Sequence, residues 1–332
     1  MDLKGKVERE ALSAAIELVY GKIGRDRQKG VLDIFKLAEG LMKKGNPDID
    51  LSFVEREIMA EDGLAMGYID RLFDNLDKKV LKTWILNLGY EALYRGTKEL
   101  KESAKEYGIT IPKLIIFDSP DGFLWSEMDR IVREGLALGI HGFIISGKEP
   151  LEDSTTIINL CERYSEALFM AFTEGDLITE EMAKNLRRAE NLALVLKSSG
   201  HWTKPMAILK NEGMLFGTYV EYDEDNFLTV FSDDFIDLEK ELGVMFSGYS
   251  KSRVGDEGIN SEIQVKTDMG EFIKARVNEI RNLRNKEGLM VVDMENDNQF
   301  IGGHISGGRD FLFIKTQEEI QGKSLIDYLK VV

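Results

Sequence analysis

The sequence of 332 residues contains a single cysteine, Cys161, and only three histidines, His141, His201 and His304. One thiol cannot form a disulfide within the chain, and it cannot supply the several thiolates of a multi-cysteine site. The histidines show neither the H-x-x-x-H nor the H-E-x-x-H spacing that places two metal ligands on one helix face. A multi-cysteine metal or cluster site held by this chain alone is therefore excluded, and we expect no metal site.

Long hydrophobic runs are also absent, since no apolar stretch approaches the roughly 18 residues that span a bilayer. Residues 1–15 alternate charged and apolar side chains, unlike a signal peptide. Lys and Arg total 43 against 59 Asp and Glu, which gives a formal net charge of −16. Because such a surface repels phosphates and anionic lipids, we expect a cytoplasmic protein that binds neither nucleic acid nor membranes.

The hydrophobic content of 43% and charged content of 31% are typical of a globular chain with a sizeable core. In the first hundred residues, apolar side chains recur at helical spacing, as at Leu12, Ala15, Ile16 and Val19. Gly108 follows the last of these helical patterns, at a position suited to a helix C-terminus. The sequence therefore predicts an all-helical N-terminal domain at 1–108.

From residue 113 onward, short apolar runs alternate with helical patterns, as expected for parallel βαβ units in a second domain at 109–332. A complete or partial α/β barrel and an open doubly wound sheet both satisfy this pattern. The strand-like runs lie at 113–118, 142–147, 167–173, 193–198, 215–222, 244–250, 289–294 and 310–315.

The carboxyl ends of parallel strands carry the functional groups of such folds. Strand ends are commonly exposed and polar in any protein, so each residue alone is weak support for a site. The carboxyl ends of parallel strands nevertheless lie at the same edge of a sheet. We therefore expect these residues to come together there, at what is called the mouth below. The residues at or just after the predicted strand ends include Asp118, Gly147, Lys148, Glu149, Pro150, Thr173, Glu174, Lys197, Glu221 and Asp293.

The segment SGKEPL at 146–151 resembles the S-G-G-E-P-L segment of radical S-adenosylmethionine (radical SAM) enzymes. In that family the segment holds the methionine amino group of the cofactor. Residues 104–120, 167–186 and 300–314 are similar to segments of one subgroup, and the helical N-terminal region resembles its leader domain. The resemblance covers most of the chain. It implies an α/β fold, a partial (βα)6 TIM-like barrel of the radical SAM type preceded by the helical domain.

The chain departs from that family where the family binds its cofactors. The family holds a [4Fe–4S] cluster through a C-x-x-x-C-x-x-C loop after the first strand, because such clusters need Cys thiolates. The corresponding segment here, SPDGFLWSEMD, has no cysteine, and Cys161 is expected to be a small buried apolar residue. Lys148 replaces the second glycine of the cofactor turn, and His304 stands where the subgroup often has cysteine.

These departures predict a degenerate member with neither an iron–sulfur cluster nor S-adenosylmethionine as cofactor. An arginine-containing insertion expected after residue 200 is absent as well. We expect the Lys and Glu side chains that remain where the family binds its cofactor to pair with one another across the mouth. The vestigial cofactor pocket would comprise Asp118, Gly147, Lys148, Glu149, Pro150, Thr173, Glu174 and Lys197.

No catalytic residue is predicted, and the expected role is that of a non-catalytic binding or scaffold partner of another protein. That protein would be an active radical SAM paralogue or its substrate. Two alternatives stay open: a ligand sensor that uses the vacated cavity, and a non-radical enzyme that reuses Glu149, Glu174, Lys148 and Lys197. The candidates for ligand or partner contact are His304, Arg309, Glu221 and Asp293.

Overall fold

All eight strand-like runs of the sequence form strands of one sheet in the computed structural model of the chain. The structure describes residues 3–23, 27–45, 52–60, 64–119, 121–147, 149–197, 203–223, 225–251, 276, 289–293 and 311–331. The strands are β1 (Leu114–Ser119), β2 (Gly142–Gly147), β3 (Leu168–Glu174), β4 (Leu192–Lys197), β5 (Leu215–Tyr222), β6 (Phe246–Lys251), β7 (Met290–Asp293) and β8 (Phe311–Ile314).

The strands pair in the order β7-β6-β5-β4-β3-β2-β1-β8, and every neighbouring pair is parallel. Strands β1 to β6 follow chain order and form the predicted (βα)6 unit, while β7 and β8 extend its two edges. No pairing joins β7 to β8 within the described residues. The sheet is therefore a partial α/β barrel, as the sequence predicts.

Helices connect the strands from β1 to β6 on the outer side of the sheet. Residues of β1 alternate between the two faces: Ile115 and Phe117 are fully buried and share a core with Met128 and Ile131, whereas Asp118 is only partly buried. The connecting helices are α7 (Trp125–Ala137), α8 (Ser154–Arg163), α9 (Glu180–Leu186), α10 (Thr203–Asn211), α11 (Phe227–Val230) and α12 (Asp233–Glu241), and a last helix spans Leu325–Leu329.

The described residues before β1 contain helices and no strand, as the sequence predicts. These are α1 (Leu3–Ile23), α2 (Arg27–Gly45), α3 (Ser52–Met59), α4 (Leu64–Asn75), α5 (Lys78–Ile85), a π-helix (Leu86–Gly96) and α6 (Thr97–Tyr107). Gly108 ends α6 in the left-handed conformation with φ of 66°, which confirms its predicted role. Among the described residues no helix is long and apolar enough to cross a membrane.

The N-terminal helices cover the N-terminal ends of the strands. Asn87, buried in the π-helix, donates hydrogen bonds to the carbonyl oxygens of Ser165 (2.7 Å) and Ala167 (2.8 Å), just before β3. The helices therefore lie at the opposite end of the barrel from the mouth, although the division into two domains at residue 108 stays a prediction. One shared apolar cluster contains Leu76, Val80, Leu81, Ala193, Leu215 and Met245.

Candidate functional site

The carboxyl ends of β1 and β2 meet through a polar pair at the mouth. Asp118 lies opposite Ser146 in the register of the two strands, and the Ser146 hydroxyl donates to Asp118 Oδ1 over 2.9 Å. Both side chains are partly buried. The structure thus brings the predicted Asp118 into contact with β2, where its carboxylate already has a hydrogen-bond donor.

The turn after β2 depends on a glycine. Gly147 has φ of 91°, a region that side chains with a Cβ rarely adopt, and a Cβ there would collide with the backbone carbonyl of Ser119. The chain then enters a short 3-10 helix at Pro150, which is buried. The absence of a side chain at Gly147 therefore allows this turn to lie close to the end of β1.

The carboxylate of Glu149 accepts three hydrogen bonds from within the protein. Its Oε1 accepts from the backbone N–H of Leu151 (3.0 Å) and from the hydroxyl of the fully buried Thr173 (2.6 Å). Its Oε2 accepts from the backbone N–H of Glu174 (2.8 Å). Glu149 thus caps the 3-10 helix and fastens the turn to the end of β3, so both of its oxygens are engaged.

A cation and a carboxylate pair at the ends of β3 and β4. Glu174 lies opposite Lys197 in the strand register, and Lys197 Nζ is 3.2 Å from Glu174 Oε1. The two side chains are 43% and 34% exposed, so water screens their attraction. Phe172 and Tyr219 pack edge to face beside this pair, with ring centroids 5.7 Å apart.

Two further predicted residues, Glu221 and Asp293, lie on β5 and β7. Glu221 is exposed on β5, where its backbone carbonyl accepts from Asn226 Nδ2 over 3.1 Å. Asp293 ends β7. Within the described part of the chain, no group of three His, Cys, Asp or Glu side chains is arranged to hold a metal ion. Three predicted residues lie outside the described residues: Lys148, His304 and Arg309.

Cys161 is fully buried on α8, in the core between the helices and the sheet. Burial raises the pKa of its thiol, with the nearby charge of Glu162 acting in the same direction. The prediction that Cys161 is a small buried apolar residue is confirmed. A thiol in this position is neutral at physiological pH and faces no solvent.

Sequence reasoning missed a buried acid, Glu239 on α12. It is fully buried against the outer face of the sheet, and the hydroxyls of Thr218 (2.5 Å), Ser247 (2.9 Å) and Tyr249 (3.2 Å) donate to its carboxylate. Burial raises the pKa of Glu239 to about 7, although the three hydroxyls lower it in part. Glu239 lies three residues after the buried Ile236 and so on the same helix face, which was the signal of its burial available in the sequence.

A second buried acid, Glu91, was missed in the π-helix. Its carboxylate pairs with Arg9 Nε (2.8 Å) and Arg95 Nε (2.6 Å), and Arg95 also pairs with Glu99 (2.8 Å). His141 Nε2 is 3.8 Å from Glu99 Oε2. Burial alone would raise the pKa of Glu99, but the nearby His141 and the charge of Arg95 lower it below its ordinary value. These residues connect the helical layer to the segment before β2.

No protein-family model matches the chain, and no curated protein matches it. Among solved structures it is similar to Streptococcus suis SuiB bound to S-adenosylmethionine, with a TM-score of 0.50, 14% identity, and coverage of 71% of this chain and 68% of SuiB. SuiB alone gives a TM-score of 0.46 at 14% identity (65% and 58% covered). SuiB bound to the precursor peptide SuiA gives 0.43 at 14% identity (60% and 53% covered).

At this level of identity the likeness to SuiB bound to S-adenosylmethionine shows the fold alone. The fold of the chain is a partial TIM-like α/β barrel of parallel strands with helices around it, similar to that of SuiB bound to S-adenosylmethionine. Whether the chain uses that fold for chemistry depends on its residues at the mouth.

Proposed function

We propose that the chain is a radical SAM-like protein without the [4Fe–4S] and S-adenosylmethionine sites, and that it acts as a non-catalytic binding partner of another protein. The loop between β1 and α7 carries the proposal. Residues 119–124 offer no thiolate there, and the one thiol of the chain is sealed in the core at Cys161. Because an iron–sulfur cluster is held by Cys thiolates, the donor set beside the mouth does not fit the cluster.

The hydrogen bonding of the mouth supports the proposal. The resemblance implies that the carboxylate at the position of Glu149 holds the cofactor amino group. In this chain that carboxylate accepts hydrogen bonds from Leu151, Thr173 and Glu174. Three of the roughly four acceptor positions of this carboxylate are thus occupied by the protein itself, which leaves little capacity for a cofactor amino group.

A non-radical enzyme that reuses mouth residues is the weaker alternative. Acid–base chemistry needs a proton donor or acceptor that can reach a substrate. Of the four residues named for such an enzyme, Lys148 lies outside the described residues and Glu149 serves as a helix cap. Glu174 and Lys197 are the charged groups that remain. A ligand sensor in the mouth is the other alternative, and it is separated from the main proposal by a binding measurement.

Calorimetry of the full chain with S-adenosylmethionine tests the proposal. We expect no saturable heat at millimolar ligand, because neither a cluster nor a free carboxylate at Glu149 would hold the methionine end. Binding in the micromolar range would contradict the proposal and favour the sensor. The binding partner we expect is an active radical SAM paralogue or the substrate of such an enzyme.

A further inference from the structure

A cleft of about 150 Å³ lies beside the mouth, between the loop after β1 and the 3-10 helix Pro150–Asp153. Its floor is apolar and contains two aromatic rings, those of Phe123 and Trp125, with the buried Met128 and Ile145 beneath them. Both rings are partly buried and pack against the main core. The floor is therefore a firm part of the fold.

The walls of this cleft are acidic. No Lys, Arg or His occurs among the lining residues that the structure describes, which include Asp121, Glu149, Glu152 and Asp153. Glu149 and Asp153 are engaged as helix caps, the latter accepting from the N–H of Thr156 over 3.1 Å. Asp121 and Glu152 are exposed at the rim. A concave acidic wall over an apolar floor attracts cations and repels anions.

The size of the cleft indicates what kind of cation fits. Sites for whole small molecules are roughly 300–1,000 Å³, so this cleft holds one long side chain rather than a metabolite. Lys and Arg bury their aliphatic stems on apolar surface while the charged head stays at a polar rim. The face of Trp125 can add a cation–π contact to the charged head.

A second cleft lies next to the acidic one, along α7 and α8. This cleft, of about 330 Å³, lies between α7 and α8, and Trp125 belongs to the lining of both clefts. Its lining includes Asn159, which can hydrogen-bond a peptide backbone, whereas Asp129 in the same lining already pairs with Arg163. Leu124, 57% exposed beside Trp125, adds apolar surface for a flanking residue.

We propose that the acidic cleft binds a Lys or Arg side chain in an extended segment of the partner protein, with its stem on Phe123 and Trp125 and its head between Asp121 and Glu152. This inference rests on the proposed function and adds the chemistry of the contact.

The test uses the full chain and two blocked pentapeptides, Gly-Leu-Lys-Leu-Gly and the same sequence with norleucine in place of lysine. Norleucine keeps the aliphatic stem and removes the charge. The chain has three tryptophans, and the Trp125→Phe variant assigns the indole N–H signal of Trp125 in the nuclear magnetic resonance spectrum. That signal is then followed while each peptide is titrated.

We expect the lysine peptide to shift the Trp125 signal in a saturable way. Binding should be about tenfold weaker, or more, for the norleucine peptide and for the double variant Asp121→Asn/Glu152→Gln, because a charged contact is lost. The matched control Glu180→Gln/Glu181→Gln removes the same charge from exposed positions on α9 and should bind like the wild type.

Three results would overturn the inference: no shift with the lysine peptide, equal affinity for the norleucine peptide, or unchanged binding by the Asp121/Glu152 variant. A Trp125 signal that depends on protein concentration, with doubled mass in sedimentation, would instead identify a second copy as the occupant and also overturn it. None of these results changes the cofactor measurements, so failure here is distinguishable from failure of the proposed function.

Discussion

The Thr173 hydroxyl and the Glu149 carboxylate are joined by a hydrogen bond of 2.6 Å that ties the turn after β2 to the end of β3. Both groups lie where the resemblance places the cofactor pocket. The proposed loss of cofactor binding thus has a structural counterpart, since a carboxylate that could hold a ligand stabilises the fold instead.

Replacing Glu149 by Gln should destabilise the fold by about 1–3 kcal/mol, because an amide NH₂ would face one of the N–H donors that the carboxylate satisfies. Urea unfolding measures the change. Glu152→Gln, in the same 3-10 helix but exposed, should stay within about 0.5 kcal/mol of the wild type. Equal unfolding midpoints for the two variants would show that Glu149 does not fasten the turn.

Gly147→Ala should cost about 3 kcal/mol or more, because the new Cβ meets the Ser119 carbonyl in addition to the strain of positive φ. Gly108→Ala is the matched control, since its φ is 66° and no atom lies within 4 Å of the added Cβ. It should cost only about 1–2 kcal/mol. Thermal unfolding compares the two variants, and similar losses would contradict the close contact.

Most of the fold follows from the apolar pattern of the sequence. Runs such as GFIISG become β2 with the predicted bounds, because short unbroken apolar segments between helical patterns suit strands buried in a parallel sheet. Both faces of β4 are buried, as expected. The inner faces of β1 and β2 are only partly buried in the structure, because this sheet does not close within the described residues.

The polar details were less predictable. Pairs such as Glu174 and Lys197 follow from their positions at adjacent strand ends. The role of Glu149 as a helix cap could not be predicted, because the hydrophobic pattern of the sequence does not show where a side chain in a turn points. Buried acids such as Glu91 and Glu239 also escape prediction, since a Glu in a helix is usually exposed and its burial depends on partners distant in sequence.

The stability of the fold should fall between pH 4.5 and 7 through Glu239, whose ordinary pKa of 4.5 is raised by burial to about 7. A raised pKa in the folded state gives a contribution that is complete below the unfolded value and is lost as pH rises through the folded value. Glu239→Gln removes this titration and can keep hydrogen bonds to the surrounding hydroxyls. The variant should therefore gain stability relative to the wild type as pH rises.

Urea unfolding midpoints at several pH values from about 4.5 to 8 measure this difference, which should be on the order of a few kcal/mol over the range. Glu241→Gln, exposed on the same helix, is the control and should change little with pH relative to the wild type. A constant difference between Glu239→Gln and the wild type at all pH values would mean that Glu239 does not titrate in this range.

The Cys161 thiol should not react with Ellman's reagent in the native protein, because burial excludes the reagent and raises the thiol pKa. In urea the thiol should react stoichiometrically. Cys161→Ser should lower the free energy of unfolding by about 1–3 kcal/mol, since a buried hydroxyl replaces a weakly polar thiol. Rapid labelling without denaturant would contradict the buried placement.

The central proposal is that this partial barrel holds no iron–sulfur cluster, and anaerobic reconstitution with iron and sulfide tests it most directly. After excess reagents are removed, iron and acid-labile sulfide are assayed against protein, and the visible absorption of a cluster is recorded. The account predicts no stoichiometric iron or sulfide and no cluster band, because the loop after β1 has no cysteine and Cys161 is buried. Stoichiometric iron and sulfide with a cluster band that dithionite bleaches would contradict it.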